Sequence, residues 1–193
     1  MTKISKLICC VFPMLAAMAC SSSQPPIGAK IGNAGSVSDF YGIQSVSVQS
    51  TGGGWTSFGF GAVNGYPGAS ADIGRTGVPK RINGVWRKGW DLNEQLIYYR
   101  IDEPIDSSLA EKKMKAMHDY YKEFSTAWPV MQVVVDEDNI MLLYTFSCYS
   151  KIDNCAPKDN ADPNGWVVKS PENLTDVVVL FEGIGETSLT PFE

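Results

Sequence analysis

Between Ile43 and Gln49 polar and apolar positions alternate, with Val46 and Val48 turned away from Ser45 and Ser47, and Gly52-Gly53-Gly54 breaks the run. Trp55 to Val63 resumes the period of two, Phe58, Phe60 and Ala62 against Gly59 and Gly61, and Asn64-Gly65-Tyr66-Pro67-Gly68 turns the chain. These are two strands of a meander. Residues 69–79 read as a loop. Arg81 to Trp90 and Gln95 to Ile101 follow as strands around an Asp91-Leu92-Asn93-Glu94 turn, their apolar sides supplied by Ile82, Val85, Trp86 and Leu96 to Tyr99. The period then changes. Ala110, Met114, Met117, Tyr121 and Phe124 fall on one face of a helix, Ser108 and Glu111 form a capping box, and Pro129 bounds the region.

Met131 to Val135 and Ile140 to Phe146 predict a buried hairpin around the acidic tip Asp136-Glu137-Asp138-Asn139. Residues 147–173 read as a long loop, and Asp176 to Phe181 as a strand interior to its sheet because Val177 to Leu180 carries no polar position. The expected fold is therefore α+β: a mostly antiparallel sheet of about six to eight strands with one packed amphipathic helix.

The N-terminus has a different grammar. Lys3 and Lys6 precede the apolar run Leu7 to Met18, with small residues ahead of Cys20. That run is shorter than the roughly 20 residues that span a ~30 Å bilayer core, so residues 1–19 read as an export signal that is removed. Ala19-Cys20 resembles the lipobox of bacterial lipoproteins, although Ala17 stands where Leu is usual. The resemblance implies acylation of Cys20, with cleavage lacking lipidation as the alternative. Ser21-Ser22-Ser23-Gln24-Pro25-Pro26 suits a tether, and residues 20–38 as a whole read as a flexible linker before a single domain over 39–193. With no acidic residue directly after Cys20, the anchor is expected at the outer membrane, facing the periplasm.

The full chain has a formal charge of −5, and loss of Lys3 and Lys6 makes the mature protein more acidic still. Acidity disfavours nucleic acid and anionic membrane surfaces as partners and fits a basic protein. Cys9 and Cys10 leave with the signal, so Cys148 and Cys155 remain as a candidate disulfide in an oxidising compartment. Free thiols are the other reading; a metal would need more ligands than His118 can add.

Catalytic signals are sparse. His118 is the single histidine, no G-x-S-x-G elbow supports a serine, and Gly52 to Gly61 is neither followed by a helix nor by Lys-Ser or Lys-Thr. Asp102-Glu103, Asp136 to Asp138 and Asp153 could in principle pair for acid–base work, yet two of those clusters lie at turns, where solvated charge is the ordinary state. Asn160-Ala161-Asp162-Pro163-Asn164-Gly165 matches the start of a calcium loop, but Pro171 occupies the twelfth position where a bidentate Glu belongs, so a polar turn is the simpler reading. The expectation is a non-enzymatic protein with no cofactor and no metal.

The lipobox-like start, Gly65-Tyr66-Pro67, Pro79-Lys80-Arg81 leading to Trp86 and Trp90, Glu94 through Tyr98-Tyr99, and Ile105-Asp106 before a helix are together similar to a family of uncharacterised bacterial envelope lipoproteins. Some relatives of that kind are encoded beside phospholipase effectors of the type VI secretion system and act as their immunity proteins. The resemblance spans residues 40–183 and carries over no catalytic residue. It implies a binding protein that captures a secreted lipase, with a structural or accessory envelope lipoprotein as the second reading. Candidate contact residues are the tip Asp136, Glu137, Asp138 and Asn139, and the loop residues Asp153, Asp159, Asp162 and Trp166.

Overall fold

The computed structural model describes residues 27–63, 65–67, 74–89, 95–156, 159–173 and 175–193. The segments read as export signal and tether up to Pro26, Cys20 among them, and Trp90 with the expected Asp91 to Glu94 turn lie outside the described residues.

The architecture is α+β, with two sheets and a single helix among the described residues. The strands are β1 (Ala29–Ser36), β2 (Tyr41–Ser50), β3 (Trp55–Val63), β4 (Arg75–Thr76), β5 (Pro79–Lys88), β6 (Ile97–Pro104), β7 (Trp128–Asp136), β8 (Asn139–Ser147), β9 (Val167–Lys169), β10 (Asp176–Ile184) and β11 (Glu186–Ser188). The helix α1 covers Ser107–Tyr121. One sheet has the order β4-β1-β7-β8-β10-β9, the other β11-β6-β5-β2-β3. All pairings within the two sheets are antiparallel except β1 with β7.

One core joins the layers. Ile31, Met131, Val133, Leu142 and Tyr144 of the first sheet meet Tyr41, Val46, Ile82 and Trp86 of the second, and Ala110, Met114, Met117 and Tyr121 of α1 complete the cluster. The helical stripe read from the sequence is thus the buried face of α1 as far as Tyr121; Phe124 lies beyond the end of the helix and packs partly buried against the core. The opposite face of the first sheet holds a smaller cluster of Ala34, Tyr66, Val134, Leu143 and Val177. Its two-sided burial explains why the β7 and β8 sequences are apolar runs instead of alternating ones.

The structure corrects several expectations. Part of the supposed linker is β1, held between β4 and β7 with Ala29, Ile31 and Ala34 buried. Its small residues fill both faces of a tightly packed strand, so the segment lacks the large apolar side chains by which a strand is ordinarily read. Asn33 Oδ1 accepts the Gly35 amide at 2.9 Å, and Gly35, at φ 102°, sits at a register shift against β7. Among the described residues the strand count is eleven, because β1 and the short strands β4, β9 and β11 add to the readable set.

The helix is capped by Asp106, whose Oδ1 accepts the Leu109 amide at 3.0 Å, and not by a Ser108–Glu111 box; Ser107 Oγ instead donates to the Pro79 carbonyl. Glu111 pairs with Lys115 one turn on. The Gly52-Gly53 break is a tight hairpin turn in which Gly53, at φ 86°, donates to the Ser50 carbonyl and the Ser50 amide donates to the Gly54 carbonyl. Strand β10 lies between β8 and the three-residue β9 and continues past Phe181 to Ile184, across a register shift between Val179 and Phe181.

Candidate binding surface at the disulfide loop

The two clusters of candidate contact residues lie at opposite ends of the β7–β8 hairpin. Nine extended residues separate them, about 30 Å at ~3.3 Å per residue, so they cannot form one small site.

The acidic tip is a clasp between the sheets. The Glu137 amide donates to the Tyr41 hydroxyl at 2.8 Å, and Trp86 Nε1 donates to the Glu137 carbonyl at 2.7 Å. Glu137 has a φ of 53°, a conformation unfavourable outside glycine, and these two buried aromatics hold it there. Asp136 accepts the amide and hydroxyl of Ser38, the Asp138 carbonyl accepts the Gly185 amide at 2.7 Å, and Asn139 donates to Glu182 at 3.1 Å. Lys88 stands 3.3 Å from Asp39 and 3.6 Å from Glu137. That lysine and the Phe40 amide hold the Asp39 carboxyl below the usual carboxylate range, the amide more strongly. Glu137 thereby joins the two sheets, while Asp136, Asp138 and Asn139 tie the tip to Ser38, Gly185 and Glu182 around it.

The other end is built as a surface. Cys148 and Cys155 form a disulfide with S–S 2.00 Å and Cα–Cα 5.9 Å. Inside the closed loop, Asp153 accepts the Thr126 amide at 2.7 Å and the Thr126 hydroxyl as well, and these bonds hold its carboxyl below the usual range. The same hydroxyl accepts the Tyr149 amide at 3.2 Å. One threonine between α1 and β7 thus fixes the loop that follows β8.

Next to this knot a groove of about 640 Å³ opens between the last turns of α1 and the segment after the disulfide. Asp119, Tyr120, Glu123 and Phe124 line one wall; Asn154, Asn160 and Asn164 are on the other. Tyr120 reaches Asp176 at 3.4 Å, and burial together with that carboxylate pushes its hydroxyl pKa upward. Large apolar side chains are exposed on the adjoining segments: Trp128 at 47%, Tyr149 at 47% and Ile152 at 68%.

Of the predicted loop residues, Asp153 shapes the knot as described and Asp159 is exposed. Asp162 accepts the Val167 amide at 2.8 Å, closing its own turn, and Trp166 packs against the main core as an anchor. Among the described residues no group of three or more His, Cys, Asp or Glu is arranged to hold a metal ion. The wall residues of α1 and the exposed trio were not singled out from sequence. Phe124 was absorbed into the helical stripe, and Trp128 stood unremarked between that helix and the next apolar run.

His118 is half-buried, edge-on to Phe146 at 4.9 Å and tilted to Tyr144 at 6.4 Å, and burial lowers its pKa against an opposing pull from Asp119. Asp102 pairs with Arg81 at 2.6 Å on the exposed sheet surface. Among the described residues no helix is long and apolar enough to cross a membrane. No protein-family model, no curated protein and no solved structure matches the chain.

Proposed function

We propose that this chain is a periplasm-facing lipoprotein, acylated at Cys20, that binds and neutralises a toxic secreted effector, a type VI phospholipase. The observation that carries the reading is the surface at the disulfide loop. Exposed Trp128, Tyr149 and Ile152 lie on segments tied together by Thr126 and the disulfide, beside a groove bearing Asp119, Glu123 and Lys122, the lysine 3.8 Å from Asp119. Interfaces gain most of their affinity from a few rigid aromatic anchors, and acidic groups around them steer a basic partner to the surface. The disulfide limits the order that binding would otherwise have to impose. Anchoring at the membrane raises the effective concentration of inhibitor where a lipase must act. The chain acts by occupation and not by turnover, and needs no cofactor.

The test is genetic and biochemical. A strain lacking this protein but retaining an active effector is expected to be poisoned by its siblings and rescued by the wild-type gene, not by a Trp128→Ala/Tyr149→Ala variant. Survival of the deletion strain in the presence of an active effector contradicts the proposal, and binding without loss of lipase activity favours an accessory envelope role.

A further inference from the structure

We infer that β3 is a dimerisation edge that pairs antiparallel with β3 of a second copy of this chain. Among the described residues it is the one long strand at a sheet edge: the other edges are β4, β9 and β11, of two or three residues each. Proteins normally blunt such an edge with charge or proline. Here neither is present in β3, and no charged residue occurs anywhere between Asp39 and Asp72. In an acidic molecule this is where two like-charged copies can approach closely without repulsion.

The turn geometry fixes which groups the edge offers. Ser50 and Gly54 form the hydrogen-bonded pair that closes the hairpin, so the next pair, Gln49 and Trp55, is non-bonded across β2–β3. Alternation then directs the amides and carbonyls of Trp55, Ser57 and Gly59 away from β2. The Ser47 and Ser57 hydroxyls, 2.6 Å apart, agree with the close approach of a non-bonded pair. The side chains of Trp55 and Ser57 are also exposed, whereas Phe58 faces the core.

A two-fold axis beside Ser57 satisfies this set with itself. Ser57 bonds to Ser57 of the second copy, and Trp55 lies opposite Gly59. Only glycine fits at Gly59, because a Cβ there would stand 2.5 Å from the Gln44 carbonyl, so the position opposite the indole carries no side chain. An aromatic ring laid across a cross-strand glycine is a known stabilising arrangement. The result is one continuous sheet running through both copies.

The experiment measures the mass of the full-length protein in mild detergent by light scattering, at low and tens-of-micromolar concentration. A mass of two chains at the higher concentration is expected. Ser57→Lys sets two ammonium groups opposite each other at an exposed position and is expected to give one chain with unchanged circular dichroism. Ser57→Cys is expected to cross-link under oxidation, because bonded-pair Cα atoms are about 5.5 Å apart, within the ~4.4–6.8 Å a disulfide spans. A single-chain mass at every concentration, a dimer that persists in Ser57→Lys, or a dimer whose Ser57→Cys form fails to cross-link overturns the inference.

Discussion

Glu137 shows how a single residue can be held against its own preference. Its positive φ is stabilised through both peptide groups that flank its Cα, by the Tyr41 hydroxyl accepting its N–H and the Trp86 indole donating to its carbonyl. Tyr41→Phe removes only the acceptor and leaves a part-buried amide without a partner, an expected loss of about 1–3 kcal/mol in urea unfolding. Tyr144 is the converse. Its buried hydroxyl has no hydrogen-bond partner among the described residues, and burial pushes its pKa well up, so Tyr144→Phe is expected to leave stability unchanged or to raise it slightly in the same assay. His118 adds a pH dependence. Burial against Phe146 and Tyr144 lowers its pKa below the ordinary 6.5, so the folded state favours the neutral ring. Its contribution is whole above about pH 6.5 and declines as pH falls toward the lower folded pKa, where the folded protein protonates too. Unfolding free energies measured across that window are expected to fall with acid in the wild type and to flatten there in His118→Phe. The sequence placed this histidine beside the helical stripe, and half-burial is what that position produces.

At the scale of elements, large apolar side chains made the fold readable and small ones concealed it. Trp55–Val63 emerged from alternation with the bounds seen in the structure, and the buried face of α1 emerged from its four-residue spacing. Strand β1 did not, because Ala29, Gly32, Ala34 and Gly35 resemble a tether until a sheet closes on both sides of them. A chain truncated to begin at Asp39, which the linker reading would permit, strips the neighbour from β7 and is expected to lose cooperative unfolding by circular dichroism; one beginning at Ile27 is expected to keep it. The acidic tip was legible as a turn but not as a clasp, since its partners Tyr41, Trp86 and Ser38 are remote in sequence. The disulfide was legible from cysteine arithmetic alone. Opening it with Cys155→Ser frees a small loop, with an expected loss of about 2–3 kcal/mol in thermal unfolding. If the surface beside it is the binding surface, that substitution weakens partner binding far more than Glu137→Ala, which removes an exposed carboxylate and its ion pair with Lys88 at the far end of the hairpin.

At the scale of the whole molecule, the two ends of the β7–β8 hairpin do different work. One end locks the sheets together through residues of opposite layers. The other carries a stapled loop, three exposed apolar side chains and a polar groove on the same scaffold. In the proposed function, an export signal and acylated Cys20 would set where such a surface acts, and the acidic balance would set the partners it attracts. The most direct measurement is a titration of a purified type VI phospholipase effector, the proposed partner, with the wild-type protein during hydrolysis of phospholipid vesicles. The account predicts stoichiometric loss of lipase activity, restored when Trp128→Ala/Tyr149→Ala replaces the wild type. Undiminished hydrolysis at saturating wild-type protein would contradict it.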